Sequence, residues 1–249
     1  MVMPREGHLD QLYHMFGYLK SKHNAAMFFD PTVPNIDRSQ FPRQEWGHTT
    51  YAGMKEQLPS NMKKSRGFGF VMSAYVDSDH AGDYVTRRSR TGFIVFLNGA
   101  PIYWLSKKQQ SCETSSYGSE FRAMTHCTEY IRGLRYKLRQ MGIPVEEPAF
   151  IYGDNKSVLS NATMPDSVLQ KKANSIAYHF VREGTSCDEW RIAYINTNEN
   201  IADLLTKPLG KKGSTSSVKF FIIYIAKDSR FRGDYGIYLK RFQNGLVPR

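Results

Sequence analysis

The sequence predicts an α/β domain, a mixed sheet with helices packed on it, and three observations carry that expectation. Two strand-like runs flank Asn98-Gly99, a hairpin signal because both central positions tolerate positive φ. A long helical pattern follows, from about Ser116 to Met141. Beyond it, short strand-like and helix-like stretches alternate to about residue 207. The length, 249 residues, fits one or two domains.

The elements are justified in chain order. Leu9, Leu12, Met15, Phe16 and Leu19 fall at helical spacing within residues 5–28, and an extended piece is expected at Ala26–Phe29. Residues 30–66 hold Pro31, Pro34, Pro42 and Pro59 and few apolar runs. They read as a long connection with little regular structure, and the first 65 residues together as either the end of something larger or an arm lying on the next domain. FGFVMSAYVDSD (68–79) alternates like a strand, and TGFIVFL (91–97) and PIYWLS (101–106) form the hairpin. On the long helix, Phe121, Met124, Thr128, Ile131, Leu134, Leu138 and Met141 share a face. Strands are expected at 149–154 and 189–195, and helices at 154–161, 167–184 and 200–207. The expected division is an arm over 1–66, the main α/β domain over 67–210 and a basic tail over 211–249.

Composition narrows the class. Forty-one per cent apolar residues can build a core, so wholesale disorder is excluded. Three cysteines without paired C-x-x-C spacing exclude a disulfide scaffold and a structural zinc site, and fit a reducing, intracellular compartment. No apolar run is long enough for a transmembrane helix, and the first ten residues lack the apolar stretch of a secretory signal. The net charge of +11 makes a polyanion the first partner to consider. Residues 211–249 hold nine Lys/Arg against Asp228 and Asp234, however, so +7 of that charge lies in the tail. The last residues, GLVPR, match the part of a thrombin recognition sequence left after cleavage. No function is assigned to the tail.

Four carboxylates stand out. Asp77 is expected near the end of the first strand, Glu120 in the first turn of the long helix, Asp154 at the end of the fourth strand and Asp203 in the last helix. Singly, three have plain structural explanations: the helix macrodipole for Glu120, and helix capping for Asp154 and Asp203. Together they converge on one sheet edge, where open α/β folds place their sites. Hard divalent cations want oxygen ligands, and a pair of them can activate a water and stabilise a leaving oxygen. His80 reads as a solvated loop residue, His179 as packed, and Trp104 as packed. Arg87, Arg88, Lys107 and Lys108 flank the hairpin. They are either a solvated face or phosphate contacts.

The segments YVDSDHAGD (75–83), RRSRTGFIVFLNGAPIYWLSKKQ (87–109), SSYGSEFRA (115–123), IYGDNKS (151–157), AYHFVRE (177–183) and NIADLLTKPL (200–209) resemble, in order and spacing, the ribonuclease H domain of copia-type LTR retrotransposon Pol polyproteins. REGHLDQLYHMFGYLK (5–20) resembles the end of the reverse transcriptase that precedes that domain, so the chain reads as a C-terminal piece of a polyprotein. The resemblance implies a ribonuclease H-like fold and hydrolysis of the RNA strand of RNA–DNA hybrids with two Mg²⁺ or Mn²⁺ ions. It maps the metal ligands onto Asp77, Glu120, Asp154 and Asp203, with Asp79 the rival of Asp77. It also implies the hybrid and the polyprotein's reverse transcriptase as partners, no membrane, and a cytoplasmic (virus-like particle) or nuclear location. Oligomeric state is left open. Two departures stand against the family pattern: Ala173 where members commonly carry histidine, and a loop at 195–200 without histidine. They leave a second reading open, a decayed fragment that binds nucleic acid or another polyprotein piece without cutting. A transposase-like nuclease ranks lower, because its glutamate usually comes last.

Overall fold

A computed structural model describes residues 6–21, 23, 29–169 and 174–207, together with the backbone of 225–226 and 236–237. The chain divides into two compact units, Met1–Phe28 with Val218–Arg249, and Phe29–Ser217. In the first, helix α1 (Glu6–Ser21) buries none of its residues, and Ile225–Ala226 pairs antiparallel with Gly236–Ile237. The extended piece expected at Ala26–Phe29, the rest of the basic tail and Ala173 lie largely or wholly outside the described residues.

The second unit is a five-stranded mixed sheet. Its strands are β1 (Met72–Asp79), β2 (Arg90–Leu97), β3 (Ala100–Lys108), β4 (Ala149–Gly153) and β5 (Trp190–Tyr194), in the order β3-β2-β1-β4-β5. The first three form an antiparallel meander, and β4 and β5 add in parallel to β1. Parallel neighbours need crossovers, which helices supply. Helix α2 (Ser116–Gln140) leads to β4, and α3 (Lys156–Thr163) and α4 (Ser175–Ser186) lie between β4 and β5. A short α5 (Asp203–Thr206) follows β5. The α/β mixed sheet with packed helices is therefore the observed fold, and its strand bounds lie within a few residues of those expected. Among the described residues no helix is long and apolar enough to cross a membrane.

Side-chain alternation gives the sheet two covered faces. Ala74, Val76, Phe93, Val95 and Ile151 meet Phe121, Met124, Cys127 and Ile131 of α2 and Val181 of α4 in the main core. Phe150, Tyr152 and Ala193 face the other way, against Ile36 and Phe41. Residues 30–66 are irregular, as their prolines dictate, apart from one turn of 3₁₀ helix at Arg38–Gln40. They nonetheless bury Ile36, Phe41, Trp46 and Tyr51. The Asn98 side chain ties this segment to the hairpin: it donates to Pro31 O at 2.9 Å and accepts from Val71 N at 2.9 Å, with φ of +53° at the turn.

One helix starts later than its periodicity predicts. The pattern reads as helical from 167, but α4 begins at Ser175. The Arg182 guanidinium donates to the carbonyls of Asn161, Met164 and Pro165 at 2.7 Å each, closing the end of α3 and the turn after it. Tyr178 donates to Ser167 O at 2.6 Å. The Tyr178 bond takes the first carbonyl that a helix starting at 167 would use.

Candidate metal centre

Asp77 lies two residues before the end of β1, opposite Gly92 of β2, on the face that carries Tyr75. It is 1% exposed, and its Oδ2 accepts from the Thr206 hydroxyl and faces Lys207 Nζ at 3.4 Å. Its Oδ1 is buried with no hydrogen-bond partner among the described residues. Asp154 directly follows β4, the parallel neighbour of β1. Helix capping does not explain it: Asn155 is the cap of α3, accepting from Ser157 N and Val158 N at 3.1 and 3.2 Å. Nor does the macrodipole explain Glu120, which is the fifth residue of α2, past a first turn that holds no acidic residue. The helix start is capped instead by Ser115, which accepts from Gly118 N at 3.3 Å.

Strand end, helix and loop thus bring Asp77, Glu120 and Asp154 together, with one carboxylate oxygen from each within 4.8 Å of the others. Asp79 and Asp203 are not in this group. Asp203 opens α5 and binds Lys207 Nζ at 2.9 Å, four residues on. Burial, with Asp203 and Asp154 adding to it, pushes Asp77 up to about 6 against the pull of Thr206 and Lys207. Burial again, then Asp77 and Asp154, pushes Glu120 up to about 9. Burial disfavours the Lys207 ammonium, but Asp77 and Asp203 outweigh it and hold the lysine above its ordinary range. The donor set is oxygen only, crowded with like charge, and includes a buried unpartnered carboxylate oxygen. Those are the features a hard divalent cation satisfies.

The four basic candidates are all exposed, Arg87 and Arg88 in the loop before β2, Lys107 and Lys108 at the end of β3. The strand register places Arg90, the last residue of the RRSR stretch, opposite Lys108. Lys108 is paired with Asp83 at 2.6 Å. His80 is exposed and lies 3.3 Å from Ser119 Oγ. Two expectations of packing are corrected. Trp104 is 44% exposed on β3, and His179 is exposed on α4 with its ring joined to Tyr51 OH at 2.6 Å. The other residues missed are Thr206 and Lys207. Lys207 stood within the NIADLLTKPL segment, and its spacing of four from Asp203 was the available signal.

The chain is 33% identical over 211 residues to the retrovirus-related Pol polyprotein from transposon RE1 of Arabidopsis thaliana, an alignment covering 85% of this chain and 12% of that protein. It is 32% identical over 146 residues to the Pol polyprotein from transposon RE2 of the same plant, covering 59% and 10%. No family model matches the chain. Among solved structures it is similar to LC11-RNase H1 in complex with RNA/DNA hybrid, with a TM-score of 0.44 and 14% identity over 54% of this chain and 93% of that one. The chain is thus a relative of retrovirus-related Pol polyproteins of plant transposons, as its motifs imply, and spans about a tenth of their length.

Proposed function

We propose that the unit built on the sheet is a divalent-metal-dependent endonuclease that hydrolyses the RNA strand of RNA–DNA hybrids, as one part of a retrotransposon Pol polyprotein. The observation that carries this reading is the convergence of Asp77, Glu120 and Asp154 within 4.8 Å, with Asp77 Oδ1 buried and unpartnered. These three residues would hold the cation, Mg²⁺ or Mn²⁺, which when bound supplies activation of water and neutralisation of charge at the phosphate. The chain's own groups do the rest. Thr206 fixes the Asp77 carboxylate through Oδ2 and leaves Oδ1 for ligation. Burial, then Asp77 and Asp154, push Glu120 up to about 9, and a cation held by these residues would favour its carboxylate form. Arg87, Arg88 and Lys107 supply exposed charge for phosphates, which positions a duplex without reading its sequence.

The test is cleavage of an end-labelled RNA–DNA hybrid with and without Mg²⁺. The RNA strand should be cut to 3′-hydroxyl and 5′-phosphate ends, duplex DNA should be spared, and Asp154→Asn should abolish turnover with its melting transition kept. Binding of hybrid without cutting at any Mg²⁺ or Mn²⁺ concentration would move the chain to the non-catalytic reading.

A further inference from the structure

Of the three converging carboxylates, Asp77 and Asp154 belong to neighbouring strands, at or just past their ends, while Glu120 comes from a helix. Its distance from the other two depends on how the start of α2 is seated on the sheet. Like charges crowded together push that seat apart, and apolar packing, which has no direction, resists sliding poorly. One buried side chain spans the gap. Gln109, directly after β3, is 2% exposed, and its Nε2 donates to Thr91 Oγ1 and to Ser119 O, both at 3.0 Å. Thr91 precedes Gly92, the strand partner of Asp77, and Ser119 precedes Glu120. We propose that Gln109 is a positioning residue of the metal centre: by clamping the peptide before Glu120 to β2, its carboxamide holds Glu120 beside Asp77 and Asp154. The inference rests on the metal-dependent reading above and adds a residue that touches neither ion nor substrate.

Four further observations support it. The amide can sit only one way round, because turning it over would set Oε1 against the Ser119 carbonyl, acceptor against acceptor. In that orientation Oε1 is buried with no hydrogen-bond partner among the described residues. A fold that leaves an amide oxygen unpaired to keep both donors in place gives those donors a use. The clamp is also delivered from fixed backbone, since Gln109 N donates to Ser89 O at 2.8 Å, just ahead of β2. Finally, a second tie meets at the same point: Ser78 Oγ donates to Ser119 Oγ at 3.1 Å, joining the residue after Asp77 to the residue before Glu120. Gln109 thus acts at the one turn of α2 where a small shift changes the spacing of the carboxylates.

The experiment measures the Mn²⁺ dissociation constant of the full chain, by the loss of the free-ion electron paramagnetic resonance signal, alongside its melting transition. Asp154→Asn is the blank for ions bound elsewhere. Gln109→Met keeps the length and bulk of the side chain and removes both donors. It should raise the Mn²⁺ constant about tenfold, the effect typical of losing a group that orients a ligand. Ile131→Val is the control for loosening alone, because it thins the packing of the same helix on the same sheet about three turns away. It should lower the melting transition and leave the Mn²⁺ constant where it was. A Gln109→Met constant within about threefold of wild type would overturn the inference even if the melting transition fell, for the residue would then be structural only. An equal shift in Ile131→Val would overturn it too. A wild type that binds no Mn²⁺ above the blank would sink the metal-dependent reading itself, and this inference with it. If Gln109→Met does not fold, Thr91→Val decides: it removes one of the two partners at nearly constant volume, weaker Mn²⁺ binding supports the clamp, and an unchanged constant overturns it.

Discussion

Gly92→Ala probes the contact on which the metal centre is built. Gly92 faces Asp77 across β1 and β2, and α5 closes over it. A Cβ at position 92 would lie 2.5 Å from Thr206 Cγ2, 2.9 Å from Leu205 Cβ and 3.1 Å from Ala202 O. Carbon contacts settle near 3.5 Å or beyond, so the shortfalls are about 1.0 and 0.6 Å at the two side chains. The Thr206 methyl could rotate away, but only by breaking its hydroxyl's bond to Asp77. Leu205 Cβ and Ala202 O move only with the backbone, so α5 must lift. Overpacking of this kind costs about 1–3 kcal/mol. For a unit of this size that is a fall in Tm of roughly 3–10 °C. Lifting α5 also draws Thr206, Asp203 and Lys207 away from Asp77, so Mn²⁺ affinity should change together with stability. The control is Gly133→Ala, in the exposed middle of α2 with nothing within 4 Å of an added Cβ. It should melt at or above the wild type, by roughly 0.5–1 kcal/mol of helix propensity. Thermal denaturation by circular dichroism, with Mn²⁺ titration at 25 °C, reads both effects. A Gly92→Ala chain with the wild-type Tm and Mn²⁺ affinity would refute the packing argument.

Other expectations follow from the same structure. Burial alone would raise Glu56, but hydrogen bonds from Arg135 and Arg139 overcome it and hold the carboxyl down at about 2. Its contribution is therefore complete above the unfolded pKa near 4.5 and is lost as pH falls toward 2. The shift corresponds to about 3 kcal/mol, reduced to roughly 2 by partial solvent contact. Glu56→Gln should lower stability in urea at pH 7 and flatten the dependence between pH 5 and 2; parallel curves for the two proteins would contradict this. Gly184→Ala has no room, since a Cβ would sit 2.0 Å from Cζ2 of the buried Trp190, whose Nε1 is held by Val181 O. A loss above about 3 kcal/mol is expected on unfolding, and a loss under 1 would show that the ring can shift. Arg182→Lys removes the planar fork that serves three carbonyls and packs on Trp46, Tyr51 and Tyr178. It should cost roughly 2–4 kcal/mol and open residues 46–51 to limited proteolysis; unchanged cleavage kinetics would deny the segment its anchor.

The order of strands and helices was legible in the sequence because each element's pattern is local. The Asn98-Gly99 turn fixes the meander, the apolar stripe of α2 has helical period, and β4 and β5 are apolar runs of strand length. Three of the four carboxylates named from sequence order also meet in space, since strand ends and the α2 start converge on one sheet edge whatever the loops do. What the sequence left open was decided by contacts between distant residues. The prolines of 30–66 marked irregular backbone but not its landing place, which Phe41 takes by packing edge-on against Phe150 and Tyr152. The periodicity of 167–184 called for a longer helix, but α4 begins at Ser175, and Tyr178 takes the Ser167 carbonyl that a longer helix would have used. Asp203 carried the motif of a metal ligand; in the fold its carboxylate meets Lys207 at 2.9 Å and lies outside the group formed by Asp77, Glu120 and Asp154. Local pattern depends on neighbours along the chain and is written in the residue order. Which cation meets which carboxylate depends on how a four-residue helix sits over a single glycine, and only the folded chain sets that distance.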